Sequence, residues 1–218
     1  MNFLKKQPGE SIVEVLVAAT LLVVVLSTAF ISLNRAAQTS INVENRIAAI
    51  NLAREGMEAV RNIRDTNWLK YSGNKREKWL CLDSVASPNE CTPSSYLTIS
   101  NGYYLVNFSE TANRYYLSEV AGADELDIPN DSADRESFRL YFDSSNRFTH
   151  DDDFGANPAT AFYRQIEIVV ISDDVCGTDG CIEEKMVVTS RVGWIEGDST
   201  KNVVLETHLF DFYQRDEY

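Results

Sequence analysis

The 218 residues fit one globular domain of ~150 residues plus an N-terminal segment, and ordinary shares of apolar (44%) and charged (24%) residues exclude general disorder. A formal charge of −13 repels nucleic-acid phosphates at long range, so no nucleic acid is expected as a partner. His150 and His208 are the only histidines, and neither a glycine-rich phosphate loop nor a nucleophile elbow is present. No catalytic centre and no cofactor are therefore expected, and the chain does not read as an enzyme.

Met1 to Gly9 form a short leader carrying Lys5 and Lys6; Glu10-Ser-Ile-Val-Glu14 follows, and Val15 to Leu33 contains no charge. Those 19 residues make a helix of about 28 Å, close to the ~30 Å hydrocarbon core of a bilayer. The two lysines keep the N-terminus cytoplasmic and place the following residues outside. A cleaved secretory signal has a shorter apolar core, and a plain signal anchor leaves Glu14 without an explanation. A carboxylate at the edge of lipid is rare, usually paired and usually functional.

The run Gly9-Glu10-Ser11-Ile12-Val13-Glu14-Val15-Leu16-Val17-Ala18 resembles the processing and methylation motif of type IV prepilins. The resemblance implies cleavage between Gly9 and Glu10 by a prepilin peptidase, N-methylation of Glu10, and retention of the apolar helix in the mature protein. It departs from the family at Glu10, where Phe or Met is usual, which bears on methylation more than on the cut. It also gives Glu14 a role: pairing with the free α-amine of a neighbouring subunit, satisfied at one axial offset, it sets the register of assembly. The other reading of Glu14 is a carboxylate snorkelling at the membrane interface. Removing the leader with Lys5 and Lys6 takes the charge to −15, which disfavours DNA uptake, one of the family's tasks.

Beyond the apolar run, Asn34 to Asp65 contains no Pro and only Gly56. Ile47, Ile50, Ala53, Met57 and Val60 recur at three- and four-residue spacing, which predicts an apolar face packed on a sheet and one helix from Ile12 to Arg64. Residues 66–100 read as a connecting region with turn-rich stretches at Ser72, Ser87 and Thr92. From 101 to 218 strands are predicted at Tyr103–Phe108, Tyr115–Val120, Phe138–Phe142, Arg164–Val170, Lys185–Trp194 and Asn202–Phe210. Alternation places Ile166, Ile168 and Val170 on one side, Met186, Val188, Val192 and Trp194 together, and Val203, Leu205 and Leu209 opposite Glu206 and His208. The last three strands form an antiparallel meander, with turns at Cys176–Cys181 and at Gly197-Asp198. Their final hairpin resembles the C-terminal hairpin of V-type minor pilins.

Cys81, Cys91, Cys176 and Cys181 all fall on the expected outer side, where an even number suggests disulfides. Three connectivities are open; Cys81–Cys91 with Cys176–Cys181 is favoured because each closes a short local loop. A four-thiolate zinc site lacks any CxxC pair, and no metal is expected. Asp151-Asp152-Asp153-Phe-Gly155 raises calcium, but fails the EF-hand spacing and reads as a solvated loop together with Asp143 to Asn146. Asn107 and Asn130 open three-residue glycosylation patterns, the first inside a predicted strand.

The expected fold is α+β: residues 1–9 a leader, 10–33 the membrane and assembly half of the helix, 34–65 its amphipathic half, 66–100 a connection, and 101–218 a sheet domain. The expected function is that of a minor pilin in a type IV pilus or similar filament. Its partners would be other pilins, the prepilin peptidase, an inner-membrane assembly platform and, before assembly, the membrane itself. It would sit in the inner membrane with its globular domain outside, then in an extracellular filament. Pseudopilins of type II secretion share the same segment, and a non-assembling membrane-anchored binding domain is the reading from a different class.

Overall fold

The computed structural model describes residues 12–71, 73, 78–82, 97–110, 112–126, 133–173 and 183–211. The fold is α+β. Helix α1 (Ile12–Lys70) precedes the strands β1 (Cys81–Leu82), β2 (Leu97–Thr98), β3 (Gly102–Ser109) and β4 (Arg114–Glu119). A five-residue helix α2 (Ala133–Ser137) leads into β5 (Arg139–Phe142), β6 (Phe148–Thr149), β7 (Ala159–Asp173), β8 (Glu183–Glu196) and β9 (Ser199–Phe210). The chain divides into two compact units, residues 1–45 and 46–218.

In the second unit, β7, β8 and β9 pair antiparallel along their lengths, from Phe162 opposite Trp194 to Asp173 opposite Glu183, and from Lys185 opposite Phe210 to Glu196 opposite Ser199. The other side of β7 is shared end to end by two hairpins, β3–β4 and β5–β6. Gly197 has a φ of 59° in the β8–β9 turn, a backbone conformation that costs glycine nothing. The alternation expected from the sequence is realised: Met186, Val188, Val192 and Trp194 are buried together, as are Ile166 and Ile168, while Glu206 and His208 face solvent.

One layer of core lies between this sheet and the C-terminal part of α1. Ala59, Val60 and Ile63 meet Tyr104, Val106, Ile166, Ile168, Met186 and Val188, and Ala49, Leu52 and Ala53 meet Leu140, Val192 and Trp194. The expected helix face is therefore corrected. Ala53 and Val60 do bury, but Ile47 stays 54% exposed and Ile50 and Met57 lie at the margin. The seat is a row of small residues, with Gly56 at its centre. A Cβ at Gly56 would stand 2.7 Å from Cδ1 of Ile166 and 3.0 Å from Oγ of Ser190, so close approach selects small side chains over bulky ones.

The helix continues to Lys70, past the end expected at Arg64 to Asp65. Asn67 holds its end to β1 by donating through Nδ2 to the carbonyls of Trp79 (3.1 Å) and Cys81 (2.8 Å). The expected connecting region thus contains a small two-stranded sheet, β1 with β2. β7 also begins five residues before its predicted start, because both of its faces are covered there. Phe162 packs toward the helix side, and Tyr163 packs with Phe138 and Leu126 on the other. The outer cover is fixed by Gln165, which donates to the carbonyl of Asp124 (2.8 Å) and accepts from the amide of Leu126 (2.9 Å).

Candidate functional site

The first unit holds the part of α1 in which the sequence places function. Between Ile12 and Leu33, fourteen Ile, Val, Leu and Phe side chains are more than half exposed, among them Ile12 (80%) and Phe30 (68%). They occupy every side of the helix, so this segment has no polar face to turn to water. Leaving them in water forgoes on the order of tens of kcal/mol of burial, at about 1.5–3 kcal/mol per side chain. α1 is long and apolar enough to cross a membrane, with a window of mean hydropathy 2.5 near the N-terminus.

Three hydroxyls of this segment bond back to its own carbonyls. Thr20 donates to the carbonyl of Val17 (2.9 Å), Ser27 to Val23 (2.7 Å) and Thr28 to Val25 (2.9 Å). Such back-bonding removes the cost of placing a hydroxyl in an apolar medium. Glu14 is different. It lies in the first turn of α1, where a carboxylate is favoured by the helix dipole, and the next ionisable residue along the helix is Arg35. The remaining predicted processing residues, Gly9 and Glu10, lie outside the described residues.

Of the four cysteines, Cys81 is buried at the head of β1, while Cys91, Cys176 and Cys181 lie outside the described residues. The acidic loop is a 3₁₀ turn over Asp153–Gly155, closed by the amide of Asp153 on Oδ1 of Asp151 (2.9 Å) and by Nδ2 of Asn157 on the carbonyl of Asp151 (2.8 Å). Among the described residues no group of three His, Cys, Asp or Glu side chains stands in metal-holding geometry. Asn107 is buried in β3 and its Oδ1 accepts from the amide of His150 (2.9 Å), so its amide belongs to the interior. Asn130 lies outside the described residues.

Sequence reasoning missed a second polar cluster, inside the sheet domain. Arg164 is 1% exposed; its Nη2 donates to the carbonyl of Val106 (3.0 Å), and its Nη1 lies 3.4 Å from Oε2 of Glu55 on α1. Burial lowers the pKa of its guanidinium, and the Glu55 carboxylate supports its charge. The signal was available in the pattern. Arg164 has the same parity as Ile166, Ile168 and Val170, so the alternation that sends them inward sends it inward too. No protein-family model, no curated protein and no solved structure matches this chain.

Proposed function

We propose that this chain is a type IV pilin-like subunit, in the manner of a minor pilin, that waits in the inner membrane and enters a filament through its apolar helix. The observation that carries the reading is the exposed, all-round apolar stretch of α1 headed by Glu14, in a chain whose later helical turns seat on an antiparallel sheet. A plain membrane anchor uses the same apolar length but has no use for the carboxylate. In an apolar bundle the Glu14 anion needs a partner, and the family's partner is the α-amine that a cut after Gly9 creates at Glu10 of the next subunit. The pair then acts as a register device. The cysteines of the exported domain would pair as Cys81–Cys91 and Cys176–Cys181.

The test is Glu14→Ala in the native organism, with the protein followed in the membrane fraction and in sheared filaments. Export should be unaffected and the protein should vanish from the sheared fraction. Wild-type protein that never appears in sheared filaments would point to a membrane-anchored binding domain or to a pseudopilin. Neighbouring genes for a secretion system separate those two.

A further inference from the structure

Where the two hairpins share one side of β7, the sheet forks. β3 pairs with β7 from Gly102 opposite Ile168 to Tyr104 opposite Ile166, while β5 pairs with it from Arg139 opposite Tyr163 to Tyr141 opposite Ala159. Past Tyr104, β3 runs on to Ser109 with β4 as its ladder partner. Side chains fill the crotch instead of a ladder. Arg164 reaches the carbonyl of Val106, and Oδ1 of Asn107 accepts from the amide of His150 (2.9 Å) and from Oγ1 of Thr149 (3.3 Å). Nδ1 of His150 lies 3.0 Å from the carbonyl oxygen of Arg139. A carbonyl only accepts, so Nδ1 carries the proton and Nε2 is the bare nitrogen. That Nε2 is sealed from solvent, as is Nε of Arg164, and neither has a hydrogen-bond partner among the described residues.

We propose that this fork is an acid-operated latch, in which protonation of His150 releases β6 and the loop from His150 to Asn157 from β3. Protonation adds a donor at Nε2 where nothing accepts, and a second cation near a buried guanidinium whose counter-ion is Glu55. The charge that acts on the ring is Arg164 on β7, and Arg139 on β5 meets the ring only through its backbone carbonyl. Asp151 follows His150 in the loop and acts on Tyr116 of β4, which bonds Asn107. Glu55 on α1 acts one step further, through Arg164. Burial first, then the Arg164 charge, hold the imidazole well below the usual histidine range, against the bond to Arg139. The latch is fully closed above the unfolded value of ~6.5 and loses strength as pH falls below it. The hairpin tips are tied separately, by Arg147 and Ser145 to Glu110, so the β5–β6 turn stays docked while β6 and the loop after it detach.

Hydrogen exchange on the full chain in detergent, at pH 7.5 and pH 5.0 and corrected for intrinsic rates, tests this. Protection over residues 148–158 should fall at least tenfold at pH 5.0, with β7, β8 and β9 unchanged. His208→Gln should behave as wild type, whereas His150→Gln should show protection that no longer depends on pH. The wild-type imidazole signal, followed by NMR, should titrate with the same midpoint as loop release. Equal protection at both pH values, or release while His150 is still neutral, overturns the proposal whether or not the glutamine variant folds.

Discussion

Gly56→Ala tests how the helix sits on the sheet. Alanine gains about 0.8–1 kcal/mol of helix propensity over glycine, so an exposed site would become more stable. Here the new Cβ meets Cδ1 of Ile166 at 2.7 Å and Oγ of Ser190 at 3.0 Å, both on side chains with 0% exposure. Overpacking of this kind costs about 1–3 kcal/mol, so the net expectation is a loss of about 1 kcal/mol. Ile166→Val removes that Cδ1 and by itself costs about 1 kcal/mol. If the contact is the cause, the double variant escapes the clash, and the two changes couple by about 1 kcal/mol or more. Urea unfolding of the full chain in detergent, followed by tryptophan fluorescence, reads all four proteins, since Trp68, Trp79 and Trp194 are buried in this domain. A Gly56→Ala protein more stable by the full propensity gain, with no coupling to Ile166→Val, would refute the close seat.

Arg164→Ala should cost more than about 2 kcal/mol, because it empties the fork and leaves the Val106 carbonyl without its donor, whereas Glu55→Ala should cost under about 1 kcal/mol, its side chain being a third exposed. The same unfolding assay separates the two, and equal losses would contradict the packing role given to Arg164. Thiol alkylation of the protein from its native host under denaturing, non-reducing conditions should label none of the four cysteines. Digestion should then yield peptides linked as Cys81–Cys91 and Cys176–Cys181, and free thiols at these positions would remove the disulfides from the account.

Much of the fold was legible because alternation and apolar runs report burial directly. In β8 each second residue from Met186 to Trp194 faces the core, and β9 repeats the pattern beside it. The helix face was misread for a physical reason. Of the expected face Ala53 and Val60 bury, but the bulky Ile47, Ile50 and Met57 do not, because contact with a sheet at close range favours small residues such as Ala49, Gly56 and Ala59. The start of β7 was hidden because Phe162 and Tyr163 are covered on opposite faces, which erases the period of two. Of the fork, only the inward Arg164 could be read. The rest depends on β3 and β5 meeting the same side of β7, and no local pattern around Asn107 or His150 records that pairing. The N-terminal segment is the opposite case: its length, apolarity and lone carboxylate are properties of the sequence itself.

In the proposed pilin-like subunit the apolar helix is retained, with a new N-terminus close to Glu14. Mass spectrometry of the mature protein, purified from membranes and from sheared filaments, tests this most directly. The mature chain should start at Glu10, with or without an added methyl group. A chain that starts at Met1, or one cut near Phe30 so that the apolar segment is lost, would contradict it.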